Sequence, residues 1–586
     1  MKVLLLFPPH WVPTMPHLAL PTLTAYLRSR GVETIQRDLN VEFFDRLLSR
    51  MHLENVLERL RRADRSARRV LLPAEIVAWA SEAGPSLASQ VAEAKGVLRG
   101  EAFFEGEASL QAFEVVADAL ALASLPFYPA SFELTRFVSP VPVDSSAALL
   151  AAVGDPQINP FLDLFQRHVL PDIMREQPDL VGISIATMDQ MLAAMTLCHL
   201  IKASGMACHI TLGGPHVSML RESLTGVGAV WNLFDSAIPF SGEIPLLRLV
   251  EALEKGDDLS AVPNLIYRDR GGSRDEGRVG VNAVCQPPSI DQLPMPDFDG
   301  LPLDLYLSPR LILPLTTTRG CYYGKCAFCN QGYGGTERFS QLEAGVIVER
   351  MLALHKRYGV RHIFFADEAI TPRTLREMSK LLQAGQFQEA PVEWITCARF
   401  EQQLTGSLLA QMARGGCRML LFGLESGSAR VIAKIGKGTQ VEQVGRILRE
   451  SAEAGIWNHL FFFFGFPGET MDDAQATVDL VYRHGRDIHS ASPGAFLLEC
   501  YAPAHLNWRK YEIGRIIDSS EKDLSIYYDY EVRSGLDETT AGQVVDSLLQ
   551  ALPPKQFGQY YIHDSYRFLY ASYLKQRGIP FPPWIG

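Results

Sequence analysis

The sequence predicts an α/β protein in which a doubly wound, Rossmann-like sheet precedes a partial (β/α)6 barrel and a small C-terminal extension. Three observations carry this reading. Apolar runs of strand length alternate with amphipathic helical runs at both ends of residues 1–255. That alternation is interrupted over about 41–170, where Leu, Ala, Arg and Glu recur at helical spacing between loops marked by Pro126, Pro129, Pro140 and Pro142. A second, more regular alternation of six strands with helices of ten or more residues fills 306–506.

The first forty residues read as strand (2–7), amphipathic helix (18–30), a stop at Gly31 and a second strand (33–38), an order that wraps into parallel pairing. After the helical insertion the alternation resumes. Strands are expected at 180–186, 209–212 and 234–238, with helices over 190–204 and from Pro245. The turns Gly213-Gly214-Pro215-His216 and Ser241-Gly242-Glu243 then fall at the carboxyl ends of strands, where doubly wound sheets hold ligands. Residues 256–305, rich in proline and with Gly271-Gly272, read as a connector carrying a small hairpin. The barrel strands are expected at 311–316, 362–366, 393–396, 418–424, 459–464 and 495–500. Residues 507–586, with Tyr527-Tyr528 and Tyr560-Tyr561, form a C-terminal extension or a cap over the barrel mouth.

At 586 residues and 47% hydrophobic the chain has material for two or more cores. Its formal charge of -11 gives no electrostatic case for binding a nucleic-acid backbone. Nine irregularly placed cysteines do not make a secreted disulfide framework, the opening Met1-Lys2-Val3-Leu4-Leu5-Leu6-Phe7-Pro8 is strand-length, and no run reads as membrane-spanning. A cytoplasmic protein with no membrane or nucleic-acid partner is expected.

Chemistry concentrates in Thr316-Thr317-Thr318-Arg319-Gly320-Cys321-Tyr322-Tyr323-Gly324-Lys325-Cys326-Ala327-Phe328-Cys329-Asn330. Three thiolates from one loop suit three irons of a four-iron cluster, leaving the fourth iron open. Zinc is the rival, since Cys326 and Cys329 make half a knuckle. It would need a fourth ligand, and no Cys or His lies between Asn330 and Leu354; the next candidate is His355. The other six cysteines, at 198, 208, 285, 397, 417 and 500, are scattered and read as small buried residues.

This loop resembles that of the radical S-adenosylmethionine (SAM) enzymes, with Cys-x4-Cys-x2-Cys in place of their usual Cys-x3-Cys-x2-Cys. Downstream, Phe365-Ala366-Asp367-Glu368, Arg399, Phe422-Gly423-Leu424-Glu425-Ser426-Gly427-Ser428, Lys437-Gly438-Thr439 and Phe464-Gly465-Phe466-Pro467-Gly468-Glu469-Thr470 recur in the order that the family's barrel implies. The resemblance implies a [4Fe-4S] cluster on Cys321, Cys326 and Cys329 and reductive cleavage of SAM to a 5'-deoxyadenosyl radical. It implies SAM contacts from Phe328, Asp367, Glu368, Arg399, Glu425, Ser426 and Gly465.

The first part resembles the cobalamin-binding domain that precedes the barrel in one large radical SAM subfamily, through Phe7-Pro8-Pro9, Gly182-Ile183-Ser184 and the two glycine turns. Cobalamin contacts are therefore expected from Pro8, Ser184, Gly213, Gly214, Pro215, His216, Ser241, Gly242 and Glu243. The only Asp-x-His, Asp487-Ile488-His489, lacks the glycine of the mutase motif, so the resemblance implies cobalt without a protein histidine below it.

Together these imply a cobalamin-dependent methyltransferase acting at an unactivated carbon or phosphorus centre of a small molecule or peptide, fed by an external donor such as flavodoxin or ferredoxin. The alternatives are a radical cyclase, rearrangement or sulfur-inserting enzyme and, in another class, an iron-sulfur electron-transfer protein or cobalamin carrier. No further catalytic residue is assigned from the sequence.

Overall fold

The computed structural model describes every residue except 64–71, 269–278, 335–337, 385–391, 553–562, 581 and 583–586. Gly271-Gly272 and Tyr560-Tyr561 lie outside the described residues. The chain divides into two compact units. The first comprises Met1–Pro288, Leu293–Pro309 and Ser519–Ile526; the second comprises Ser289–Gln292, Arg310–Asp518 and Tyr527–Gly586.

The first unit is built on β1 (Lys2–Phe7), β2 (Glu33–Asp38), β3 (Leu180–Ser184), β4 (His209–Gly213), β5 (Ser236–Ile238), β6 (Ile266–Arg268) and β7 (Val279–Val281), in the sheet order β2-β1-β3-β4-β5-β6-β7. The first five strands are parallel; β6 and β7 form the hairpin expected in the connector, and it extends the sheet antiparallel from β5. The strand order reverses at β1, with β2 on one side and β3 on the other, so a crevice opens at the carboxyl ends of β1 and β3. One face of β1, through Val3, Leu5 and Phe7, packs with Leu27 of α1 (Ala19–Arg28) and Leu249 of a later helix. Much of the connector belongs to this unit: Gln36 Nε2 donates to Asp297 O at 2.7 Å, and just beyond it Tyr306 donates its hydroxyl to Asp38 Oδ2 at 2.6 Å.

The interruption of the pattern is helical, with α2 (Ala74–Leu98) and α3 (Gly106–Ser124) its longest members. They pack on each other closely. Phe43, Phe132, Phe137 and Phe161 form a buried aromatic cluster beside them. The expectation that no run is membrane-like needs correction. Residues Gly106–Phe127 form a helix long and apolar enough to cross a membrane by length and composition, the one such helix among the described residues. Its apolar character has a local cause, because Val116, Ala119, Leu120 and Leu122 are buried.

Residues 519–526 also join this unit, although they interrupt the C-terminal extension. Ser146 donates its backbone N–H and its hydroxyl to Asp523, at 2.7 Å and 2.5 Å, and Leu524 N donates to Asp144 O at 2.9 Å.

The second unit carries six parallel strands in chain order: β8 (Ile312–Leu315), β9 (His362–Phe365), β10 (Glu393–Ala398), β11 (Cys417–Glu425), β12 (Trp457–Phe464) and β13 (Ser490–Ala495). The sixth strand lies earlier than the expected 495–500. Its sequence, Ser-Ala-Ser-Pro-Gly-Ala, is poor in strand-forming residues, but β13 is an edge strand, where proline costs no ladder bond on the open side.

Burial alternates toward the carboxyl end of β12. In β12 Phe462 and Phe464 are buried toward the outer helices, whereas Phe461 and Phe463 are half-exposed on the interior face. Strand register places Phe364, Cys397, Gly423 and Ser492 on that same face.

The C-terminal extension serves both ends of this barrel. Helix α4 (Glu538–Ala551) packs at the carboxyl ends of β12 and β13, with Ala541 against Gly465. Helix α5 (Asp564–Gln576) closes the opposite end, so the extension is not simply a cap over the mouth. Its Ser572 bonds Glu393 and lies 3.1 Å from His362 Nε2, and Arg418 Nε donates to Glu393 Oε1 at 2.5 Å. His362, Glu393 and Arg418 stand at the amino-terminal ends of β9, β10 and β11.

Burial alone would raise the Glu393 carboxyl, but the His362 and Ser572 hydrogen bonds and the Arg418 charge hold it down at about 2. Its contribution to stability is therefore present above the ordinary carboxylate range and is lost as pH falls toward about 2. Arg418→Met should remove the cation and leave a buried carboxylate, costing about 3–5 kcal/mol. A chemical-denaturation midpoint unchanged in Arg418→Met would show that Glu393 does not depend on it.

Candidate functional site

The cysteine loop follows β8, the first barrel strand, at its carboxyl end. Its approach is fixed by Asp367, just past β9. The Asp367 carboxylate accepts from Thr317 N (2.7 Å), Thr317 Oγ1 (2.8 Å), Thr318 N (2.7 Å) and Thr318 Oγ1 (3.0 Å). Burial raises this carboxyl to about 6, against the pull of those four hydrogen bonds. Four donors occupy both of its oxygens, so Asp367 positions the loop.

Within the loop, Gly320 (φ +69°) and Gly324 (φ +59°) take the left-handed conformation that glycine adopts without strain. Gly324 is the exposed point at which the longer first gap turns. All three cysteines are half-buried and free, and the Cys329 thiol lies within electrostatic reach of both Cys326 and Cys321. Burial pushes the Cys329 thiol up to about 12. Among the described residues no three His, Cys, Asp or Glu side chains converge as one metal ion requires, and His355 lies 2.9 Å from Val360 O through its Nδ1. A loop of three cysteines with room between them fits a four-iron cluster better than a tetrahedral zinc ion.

Around the loop the structure gathers Phe328, Arg399, Glu425 and Lys437. Lys437 Nζ donates to Glu425 Oε1 at 2.7 Å, with both side chains buried, and lies 5.9 Å from the Phe328 ring centre. Glu425 itself has φ +63°, a conformation that costs a non-glycine residue energy and is held by its surroundings. Glu368 is exposed and sits close enough to Cys329 and Cys397 to raise both thiols, after the larger effect of burial.

Two expected contacts turn elsewhere. Ser426 is buried against Thr477, 3.2 Å away, and receives Ser428 N at 3.1 Å, within the turn that starts the next helix. Gly465 (φ +86°) donates its N–H to Glu469 Oε2, and a Cβ there would stand 2.6 Å from Ala541 Cβ, so its bareness serves packing on α4.

Sequence reasoning missed three neighbours of the loop. Lys437 was legible only as a landmark. Cys397 was grouped with ordinary cysteines although strand alternation from Arg399 places it on the interior face. Glu401, two residues after Arg399, accepts from Tyr322 Oη at 2.8 Å and from Arg399 Nε at 3.0 Å.

In the first unit the other expected contacts line the carboxyl edge of the sheet. Gln190 laces the crevice: its Nε2 donates to Pro8 O at 2.6 Å and its Oε1 accepts from Ala186 N at 2.6 Å. Ser184 ends β3, and its Oγ is buried with no hydrogen-bond partner. His216 is likewise buried, its Nδ1 without a partner, and burial lowers it to about 4, so it is neutral. Pro215 opens the short helix that carries His216.

The two glycines of this turn differ. Gly214 (φ +103°) lies against Ile185, where a Cβ would meet Ile185 O at 2.4 Å; a Cβ on Gly213 would meet only Ile238 O, at 3.7 Å. Ser241 and Gly242 follow β5, and Glu243 begins the next helix with its side chain buried. His489, the histidine of the incomplete motif, is buried in the second unit and accepts from Asn458 N through Nδ1 at 2.9 Å. Ser184 Oγ and His216 Nδ1 are thus two buried polar atoms without partners at this sheet edge, beside the bare end of β4.

Residues 315–481 match the model of the Radical SAM superfamily. An uncharacterized methyltransferase of Pyrococcus horikoshii is 29% identical over 360 residues, covering 60% of this chain and 76% of that protein. The 4'-phospho-dehydrooxetanocin synthase of Priestia megaterium is 23% identical over 339 residues, covering 54% of this chain and 44% of that protein.

Among solved structures, the cobalamin-dependent SAM radical enzyme OxsB with aqua-cobalamin bound superposes with a TM-score of 0.53 at 19% identity, covering 66% of this chain and 60% of that one. The radical SAM methyltransferase TsrM from Kitasatospora setae, with cobalamin and a [4Fe-4S] cluster bound, gives 0.56 at 15% identity, covering 94% and 92%. The chain thus spans less than two thirds of the synthase and of OxsB, and at these identities the structural likeness is one of fold. The three-cysteine barrel loop lies at the start of a Radical SAM domain over residues 315–481, and the chain has the fold of the solved structures OxsB and TsrM.

Proposed function

We propose that the protein is a cobalamin-dependent radical SAM methyltransferase acting on an unactivated carbon or phosphorus centre of a small molecule or peptide, with its electron drawn from an external flavodoxin- or ferredoxin-type donor. The observation that carries this is that one chain holds both an open-site cysteine loop on a barrel and a strand-edge cradle with unpartnered Ser184 and His216 atoms. The Pyrococcus methyltransferase and TsrM support methyl transfer over the other radical outcomes. When bound, the cluster supplies the electron for SAM cleavage and cobalamin carries the methyl group.

The chain's own residues do the rest. Cys321, Cys326 and Cys329 hold the cluster, and Asp367 fixes the loop that presents it. The Glu425 carboxylate, paired to Lys437, faces the same strand-end region and is the acceptor assigned to SAM. Phe364, Phe461 and Phe463 give the barrel interior apolar walls that keep water from a reactive carbon radical. Ser184, Gly213 and His216 are the residues that would hold cobalamin.

The test is anaerobic turnover of reconstituted enzyme with SAM carrying a deuterated methyl group. Formation of 5'-deoxyadenosine together with labelled methylcobalamin is the expected result. Protein that retains no cobalamin after expression or incubation with it would overturn methyl transfer. A finer expectation concerns Glu425→Gln, which keeps the shape but removes the charge. SAM affinity should fall tenfold or more, the ~1.5–3 kcal/mol of a charge-assisted hydrogen bond, with cluster iron unchanged. Equal affinity by calorimetry would remove Glu425 from the SAM site.

A further inference from the structure

The longer first gap of the cysteine loop is filled by two tyrosines, and both are tied down. Tyr322 Oη donates to Glu401 Oε1 (2.8 Å), and Tyr323 Oη donates to Gly436 O (2.6 Å). Arg399 joins them: its guanidinium lies 3.7 Å over the Tyr323 ring, its Nε donates to the same Glu401 oxygen (3.0 Å), and its Nη2 donates to Lys437 O (2.6 Å). The 435–438 turn closes on the loop from its other side, with Ala327 N donating to Ile435 O at 2.7 Å. A Cβ on Gly438 would reach Tyr323 Oη at 2.6 Å, so the turn is bare where the tyrosine lies. Arg399 also lies within electrostatic reach of Cys326, and only 8% of its surface is exposed, so its charge acts on that sulfur with little solvent screening.

We infer that Arg399 is a positioning residue of the cluster, which through Tyr323, Glu401 and Cys326 holds the Cys-x4-Cys loop in register and sets the cluster's reduction potential, rather than a ligand of SAM. The inference rests on the cluster assignment made above. Reduction adds one electron to the cluster and nothing else, so a fixed cation beside a ligating sulfur stabilises the reduced form and a fixed carboxylate opposes it. Glu401 and the Lys437 carbonyl take the Nε and Nη2 donors and Tyr323 covers the guanidinium face, so the Nε/Nη2 edge is not open to a carboxylate ligand.

The experiment is a potentiometric titration of the reconstituted enzyme without SAM, followed by paramagnetic resonance of the reduced cluster. Arg399→Gln should make the cluster harder to reduce by about tenfold in the equilibrium constant, which is about 59 mV for one electron. Glu401→Gln, which removes the opposing charge, should shift the potential the other way. Iron content and the resonance of a reducible four-iron cluster report separately on the cluster assignment. If the cluster is present and the two variants leave its potential unmoved, or move it in the same direction, the inference fails while the assignment stands. Weakened SAM binding in Arg399→Gln at unchanged potential would return Arg399 to the SAM site. Should Arg399→Gln fail to assemble a cluster, the sign of the Glu401→Gln shift alone decides.

Discussion

Cys326→Ala is expected to abolish reductive cleavage of SAM, with 5'-deoxyadenosine formation falling to the level of protein without iron. Cys326 is the middle of three thiols on one loop, within electrostatic reach of both Lys437 and Arg399. A four-iron cluster with an open iron has no spare protein ligand, so losing one thiolate loses the cluster rather than weakening it. Cys417→Ala is the matched control. Cys417 is fully buried on β11, behaves as a small apolar residue, and its variant should keep full iron and cleavage. Iron analysis and chromatography of the two variants side by side give the answer. Full iron and cleavage in Cys326→Ala would end the cluster assignment on these three residues.

What the sequence disclosed follows physical lines. Strands buried on both faces, such as β1 and β3, are short apolar runs, and they are readable because burial demands that composition. Strand β13 was misplaced for the converse reason. An edge strand carrying Pro493 and Gly494 relies on its partner β12 and not on its own preference, so its signal lay in the neighbour. The helical character of the insertion was legible, but not that residues 519–526, nearly four hundred positions later, bond to Asp144 and Ser146; no local pattern encodes such a contact.

The site divides in the same way. The three cysteines and the strand-end positions were visible, since spacing and strand ends are one-dimensional features. Roles were not. Asp367 and Glu368 are adjacent and chemically alike, yet one is consumed by Thr317 and Thr318 and the other is open, because successive residues leave a strand on opposite sides. Arg399 likewise reads as an anion binder until Tyr323 and Glu401 are seen to occupy it.

The cobalamin reading turns on two adjacent glycines that the structure separates. Gly214→Ala forces a side chain onto a residue at φ +103°, 2.4 Å from the Ile185 carbonyl oxygen, and should destabilise the first unit whether or not a ligand binds there. Loss of cobalamin in that variant would therefore prove little. Gly213 is the informative position. It ends β4, is not at positive φ, and a Cβ there meets protein only at 3.7 Å, so Gly213→Val is accommodated by the fold and projects into the space at the strand edge. If a large planar ligand lies across that edge, the added side chain collides with it. Cobalamin occupancy, read from absorbance after incubation and desalting, should then fall more than tenfold, while thermal stability and cluster iron stay at the parent level. Gly213→Val that retains full occupancy would move the ligand off the β4 end and leave the Ser184 and His216 atoms without the partner assigned to them here.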